Sequence, residues 1–359
     1  MSRIEELIKE FCPDGVEYKK LVDTVTIERG KRVVREQLSP NGKYPVYQNS
    51  LTPLGFHTEY NNIANTTFII VAGAAGEIGY SDVAFWAADD CFTIVCSPSV
   101  INRYIYYALL RAQPQLLSKV RKASIPRLSR IAIENLIIPV PPMPVQREIV
   151  RILDNFTELT TELTAELTAR KQQYAYYRDK LLAFGDDVPK DTLENLCDFQ
   201  YGKGNSIPTA PGEYPVYGCN GVVGTTNVFN SIDAPVIGHI GSAGIVNWGK
   251  GKHFVTYNGT ICKVRPEKMI SRYAYHLLCS LHLERFVKGS QPFLSYSDFA
   301  KETVSVPPLS IQQRVVSILD RFDTLCTDLS SGLPAEIEAR QKQYEYYRDK
   351  LLTFKELGA

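Results

Sequence analysis

Apolar residues recur every three or four positions along one stretch of the chain: Ile149, Ile152, Leu153, Phe156, Leu159, Leu163, Leu167, Tyr174, Tyr177 and Leu181. Threonine, glutamate, glutamine and basic residues fill the positions between them. That period predicts one long amphipathic helix, starting just after Pro144, whose single apolar stripe must meet a partner. A matching stripe follows near the C-terminal end: Val315, Ile318, Leu319, Phe322, Leu325, Leu329, Ile337, Tyr344, Tyr347 and Leu351. About 39 helical residues reach about 58 Å at roughly 1.5 Å per residue, longer than a domain of this size. The economical arrangement is an antiparallel pair of long helices that joins and separates two globular units. Gly332 and Pro334 are expected to kink or briefly interrupt the second helix.

Both stripes belong to a duplication. Val140 to Phe184 returns as Val306 to Phe354, the second copy being four residues longer near Gly332 and Pro334. Tyr44 to Tyr47 (YPVY) returns as Tyr214 to Tyr217, and Ile101 to Tyr104 as Ile270 to Tyr273. Ser124 to Leu128 (SIPRL) becomes Ser290 to Leu294 (SQPFL). The glycines Gly73, Gly76 and Gly79 are matched with Gly238, Gly241 and Gly244. A repeat this long is a whole domain-plus-helix unit rather than a solenoid turn. Identity collapses in the loops between these anchors.

The remaining elements read briefly. Ser2 to Phe11 is expected to be a short helix ended by Cys12-Pro13-Asp14-Gly15. Val16 to Arg29 shows short β-type runs, and brief apolar runs broken by Gly, Asn and Pro follow to about Val100. Ile101 to Val120 reads as helix, and Leu136 to Pro142 as a strand leading into the first long helix.

With 359 residues, 44% hydrophobic and 22% charged, the chain is expected to form two or three globular domains. No run of about 18 apolar residues predicts a membrane span, and the charged first helix does not resemble a signal peptide. The eight cysteines form no C-x-x-C and do not cluster with the five histidines. They are read as reduced thiols in a cytoplasmic protein with no metal site. A net charge of +1 advertises no nucleic-acid partner. Its distribution does a little: Ile101 to Arg130 carries Arg103, Arg111, Lys119, Arg121, Lys122, Arg127 and Arg130 without an acidic residue.

Catalytic sets are missing. Ala72 to Gly79 (AGAAGEIG) lacks the Lys-Ser/Thr of a phosphate loop and reads as a glycine-dependent turn or bulge. VPPM and VPPL are not the Asn/Asp-Pro-Pro-aromatic tetrad of adenine methyltransferases, and no nucleophile–base pair stands out. What remains is a duplicated set of polar, aromatic and basic loops. In the first unit these carry Arg29, Lys31, Arg32, Arg35, Tyr47, Asn49, Lys119, Arg121, Lys122 and Arg127. In the second they carry Tyr201, Lys203, Asn205, Tyr217, Asn220, Lys250, Lys252, His253, Lys288 and Gln291. Arg and Lys pair with phosphates or guanine edges, and Asn and Gln read adenine. Any one of them alone is an ordinary solvated side chain; recurrence in two units makes the set a candidate DNA surface. Phe156, Leu159, Leu163, Leu167, Tyr174, Tyr177, Phe322, Leu325, Leu329, Tyr344 and Tyr347 are the expected helix-pair contacts.

Across essentially its whole length the sequence resembles the specificity subunit of type I restriction-modification systems. The resemblance is carried by the VPP-x3-Q-x2-I/V-V-x-ILD-x-F pattern and by RKQQYAYYRDKLLAF and RQKQYEYYRDKLLTF, with GKYPVY and GEYPVY opening the variable segments. It implies a non-enzymatic α+β chain with two β-rich target-recognition domains and small helices, separated and joined by long antiparallel helices in a pseudo-two-fold repeat. The expected divisions are 1–139 and 185–305 for the recognition domains, and 140–184 and 306–359 for the spacer helices. It further implies a bipartite double-stranded DNA target, two modification subunits and ATP-driven restriction subunits. S-adenosylmethionine, ATP and magnesium are expected on those partners and not on this chain. A helical assembly scaffold whose globular domains bind protein is the alternative, and a self-sufficient adenine methyltransferase ranks third.

Overall fold

The computed structural model describes residues 3–204, 211–327 and 332–358. The first half opens with helix α1 (Arg3–Phe11) and strands β1 (Tyr18–Lys20) and β2 (Val25–Arg29). Strands β3 (Tyr44–Tyr47), β4 (Gly55–His57), β5 (Thr66–Ile70), β6 (Ile78–Ser81), β7 (Trp86–Ala87) and β8 (Cys91–Cys96) follow. Helices α2 (Asn102–Ser118) and α3 (Arg130–Glu134) lead to β9 (Ile137–Pro139) and the long helix α4 (Met143–Leu182). The second half repeats the plan. It contains β10 (Lys190–Thr192), α5 (Leu193–Leu196), β11 (Cys197–Tyr201), β12 (Tyr214–Gly218), β13 (Gly221–Thr226), β14 (Ser231–Gly238), β15 (Val246–Val255) and β16 (Gly259–Val264). Helix α6 (Ser271–Ser280), β17 (Thr303–Ser305), α7 (Leu309–Thr327) and α8 (Leu333–Leu351) complete it.

Helix α4 begins at Met143, two residues earlier than the periodicity suggests, because Pro144 is tolerated in a first turn whose N–H groups have no helical partner. The second long helix is broken at Gly332 as expected: α7 is described to Thr327, Gly332 forms a bend, and Pro334 is the second residue of α8. Among the described residues no helix is long and apolar enough to cross a membrane. The eight cysteines are free thiols.

The chain divides into two compact units, residues 1–162 with 338–359 and residues 163–337. In the first, β2-β8-β5-β6 form a four-stranded sheet, β4-β3-β7 a three-stranded one, and β1 pairs with β9. Every residue of β5 (TTFII) is buried, because both faces are covered: Ile69 joins one apolar cluster and Phe68 and Ile70 another. In the second unit β11-β16-β14-β15-β12-β13 form one six-stranded sheet, and β10 pairs with β17. Strand β15 pairs with both β14 and β12, doing alone what β6 and β7 do separately in the first unit.

Each core is closed by helix segments from both copies of the repeat. In the first unit Tyr104, Leu109 and Ile69 pack with Val145, Ile149 and Leu153 of α4, and also with Leu352 just beyond α8. In the second, Tyr273, Leu278 and Phe299 pack with Val315 and Leu319 of α7 and with Leu182 of α4. The chain end continues this closure: Val16 N donates to Lys355 O at 2.8 Å, and Leu357 N to Val16 O at 3.0 Å.

Candidate nucleic-acid interface

A ladder of backbone hydrogen bonds assembles the loops of the first unit. Gly30 N donates to Cys91 O, Lys31 N to Ala87 O, Ala88 N to Tyr47 O, Val71 N to Asp90 O, and Leu128 N to Val71 O. The glycine turn is tied in on both sides, by Gly73 N to Pro126 O (3.1 Å) and Ala74 N to Asn49 O (2.9 Å). Gly73 adopts φ +82°, and a Cβ there would lie 2.8 Å from the Asn49 carbonyl oxygen, so glycine is required on both counts. The loop 121–127 is closed by reciprocal Arg121–Arg127 backbone bonds. Exposed Arg29, Asn49, Arg121, Lys122 and Arg127 are thereby brought to one loop cluster. Arg29 is aimed by its Nε–H, which donates to Asp89 O at 2.9 Å.

The second unit builds the same ladder, with Gly202 N to Gly259 O, Lys203 N to Val255 O, Thr256 N to Tyr217 O, His239 N to Asn258 O, and Leu294 N to His239 O. Gly241 N donates to Pro292 O and Gly244 N to Gly238 O, where Gly73 and Gly76 donate to Pro126 and Ile70. This corrects the glycine register. Gly73 and Gly76 correspond to Gly241 and Gly244, all four with positive φ, whereas Gly238 stands at the position of Ile70. A G-x-x-G-x-x-G series matches itself after a shift of three, so spacing alone could not set the register.

The candidates divide clearly. Lys31, Arg32, Arg35 and Lys119 are exposed, the first three flanking Val33, which is buried with Val46 and Ala88. Lys203, Asn220 and Gln291 are exposed, and so is Lys288, which pairs with Asp298 at 2.6 Å. Tyr201 is half-buried and bonded through its hydroxyl to Ser295. Lys250 and Lys252 belong elsewhere, near the end of the β14–β15 hairpin where Ser231 pairs with His253 rather than at the glycine turn. Lys252 lies over the Phe229 ring at 5.0 Å.

Three aromatic candidates are packing residues instead. Tyr47 stacks on Phe68 at 4.5 Å. Tyr217 is buried, donating its hydroxyl to Trp248 O. His253 is fully buried beneath Gly249, and burial pulls its pKa down, so it is a neutral core residue. Asn205 and Leu329 lie outside the described residues.

The helix contacts fall within each unit. Phe156 stacks on Tyr347 and Tyr344 meets Tyr107 edge-on in the first; Tyr177 stacks on Phe322 and Tyr174 meets His276 in the second. Leu159, Leu163 and Leu167 are half-buried, whereas Leu325 is exposed.

The polar anchors behind these helices escape a reading based on apolar period. Gln146, fully buried, accepts from Ile101 N at 2.9 Å and donates to Ser99 O and Pro141 O. Gln312 repeats this with Ile270 N, Lys268 O and Pro307 O. The glutamine of the repeated VPP-x3-Q pattern is thus a plug that satisfies the start of α2 or α6 and the turn into the long helix. The aspartate of each ILD pairs with an arginine, Arg103 with Asp154 and Arg272 with Asp320, both at 2.7 Å. Identity of these residues between the two copies was the available signal.

Among the described residues no His, Cys, Asp or Glu group could hold a metal. Each unit offers an exposed loop cluster, of polar and basic groups in the first and of polar, basic and aromatic groups in the second. The model of the type I restriction modification DNA specificity domain matches residues 13–170 and 187–339. A type I restriction enzyme specificity subunit of Escherichia coli (EcoR124I/EcoR124II) is 34% identical over 288 residues, covering 70% of this chain and 70% of that protein. The MpnII specificity subunit of Mycoplasma pneumoniae is 34% identical over 208 residues, 52% of this chain and 62% of its own length. The fold matches the crystal structure of a type I system S subunit from M. genitalium with a TM-score of 0.68 at 19% identity, covering 94% of this chain and 96% of that one. The chain therefore belongs to the type I restriction-modification DNA specificity family, as a non-catalytic DNA-recognition subunit.

Proposed function

We propose that this chain reads a bipartite, asymmetric double-stranded DNA target, one half with each unit, and directs modification and restriction subunits to it. The observation that carries this is the pair of loop ladders, built from matching backbone bonds and different in the side chains they present. Matching scaffolds serve one kind of polymer, and different side chains read different bases. Exposed Arg29, Arg121, Lys122, Arg127 and Lys203 supply phosphate and base-edge partners. S-adenosylmethionine belongs on the modification subunits, and ATP and magnesium on the restriction subunits.

Recruitment is supported by two tyrosines at matching positions. Tyr176 and Tyr346 are each 61% exposed on the YYRDK segments, held edge-on against Tyr177 and Tyr347. Aromatic side chains left in water at the same place in both copies suit two copies of one protein partner.

The test is a salt-titrated gel shift with the full chain and its modification subunit. Sequence-specific binding that weakens steeply with salt is expected. Binding of protein partners without any preference for a duplex sequence would replace this function with that of an assembly scaffold.

A further inference from the structure

At three backbone-equivalent positions the ladders exchange a charged residue for an aromatic one. Arg29 and Tyr201 each precede the glycine, Gly30 or Gly202, that bonds to Cys91 or Gly259. Asp89 and Tyr257 each precede the residue whose carbonyl accepts from Val71 N or His239 N. Arg127 and Phe293 each close their loop, against Arg121 and Lys288. The first unit thus carries two guanidinium groups and a carboxylate where the second carries three aromatic rings.

These rings form one patch. Tyr201, Tyr257 and Phe293 all contact the ring of His239, at centroid separations of 4.3, 5.5 and 4.9 Å. His239 is buried and fixed by Nδ1, 2.7 Å from Leu294 O. Tyr257 and Phe293 remain 41% and 39% exposed. The fold does not require rings at these places, because the first unit builds the same turns with charged residues. Exposed Lys203 stands beside Gly204, whose carbonyl accepts from Tyr257 N, and so puts a cation at the rim of the patch.

The major groove offers one apolar group among its base edges, the 5-methyl of thymine. We propose that the second unit reads its half-site through this patch, with Phe293 and Tyr257 receiving thymine methyl groups. This rests on the DNA-reading function above. The first unit, with Arg29 and Arg127 in the corresponding places, reads by hydrogen bonding and is indifferent to that methyl.

The test uses the full chain with its modification subunits on the target duplex, with deoxyuridine replacing thymine in one half-site at a time. In the half read by residues 163–337, each contacted methyl lost should weaken binding about fourfold, the equivalent of one buried methylene. Substitution in the other half should leave affinity unchanged. Phe293→Arg combined with Tyr257→Asp should abolish the sensitivity to deoxyuridine, Phe293→Arg alone should remove it at one thymine, and Phe293→Leu should keep it; Phe293 and Tyr257 are both partly exposed, so folding is checked by an unchanged melting temperature. Specific binding that ignores deoxyuridine in both halves, a second half-site without an A·T pair, or a full sensitivity that survives the double substitution would overturn the proposal while leaving DNA reading intact. Loss of all sequence preference in the unaltered protein would overturn both.

Discussion

Phe156 stacks on Tyr347 with ring centroids 5.4 Å apart and planes inclined by 23°. Tyr177 and Phe322 repeat this in the other unit, at 5.7 Å and 22°. Each stack joins the VPP end of one repeat copy to the YYRDK end of the other. Offset-stacked rings contribute about 0.5–1.5 kcal/mol beyond their buried area. A double-mutant cycle of Phe156→Ala and Tyr347→Ala, followed by chemical denaturation, should return a coupling energy of about that size. Strict additivity would mean that the stack is incidental.

Gln146→Ala should cost about 2–3 kcal/mol, because it leaves the Ile101 N–H and the Ser99 and Pro141 carbonyls without their partner. Gln146→Glu should be worse, since a carboxylate cannot donate to the two carbonyls. Denaturant midpoints of the two variants measure the difference, and an alanine variant as stable as the parent would disprove the plug.

Acidification should weaken the second unit through His276. Its ring accepts from the Tyr174 hydroxyl at Nδ1 and donates from Nε2 to Asp320, the pattern of a neutral imidazole. Burial lowers its pKa, the Asp320 hydrogen bond opposing that pull. The unfolded chain therefore binds a proton near pH ~6.5 that the folded one refuses, and stability declines below that pH by up to about 1.4 kcal/mol per unit. For Asp320, burial works upward, but the hydrogen bonds from His276 and Arg272 prevail and hold it below the usual range. Its contribution is present above pH ~4 and is lost as pH falls through the lowered value. His276→Tyr, which installs the residue found at Tyr107, should flatten stability between pH ~6.5 and 5, leaving the slope due to His253. An unaltered acid limb would remove His276 as its source.

Tyr176→Ala and Tyr346→Ala should each strip one modification subunit from the assembly, and the double variant both. Native mass spectrometry reads the stoichiometry directly. Two subunits retained by the double variant would place the docking contact elsewhere.

Helix α4 carries TTEL-TAEL at residues 160–167. The hydroxyls of Thr160, Thr161 and Thr168 return to carbonyls four residues back within the helix. Deleting Thr164 to Leu167 should shorten α4 by about 6 Å. That is one or two base pairs at about 3.4 Å of rise, and DNA twist favours the smaller change. Methylome mapping should show both half-sites kept and the unspecified spacer shorter by one base pair. An unchanged spacer with full activity would rule this helix out as the ruler.

The apolar stripe, the break at Gly332 and the Phe156–Tyr347 and Tyr177–Phe322 contacts were legible, because a 3.6-residue period is a local property of the chain; Tyr174 and Tyr344 meet His276 and Tyr107 of the globular domains instead. The loops were legible only as chemistry. Tyr217 and His253 look like readers of DNA until strands brought in from distant sequence cover them, and the glycine register is invisible without the bonds to Pro126 and Pro292. Gln146 and Gln312 stood in plain view within a repeated motif. Their role depends on a helix start more than 40 residues upstream, which no local pattern encodes.

The closure of the first core by Leu352 and Tyr344 sets an order of events on the ribosome. Residues 163–337 form a continuous stretch and can complete their unit as soon as it emerges. The earlier-made residues 1–162 must wait, with Ile149 and Leu153 uncovered, until 344–357 have been synthesised and fold back beside Val16. Completion of the two units is therefore expected in the order second then first, the reverse of the usual N-to-C sequence.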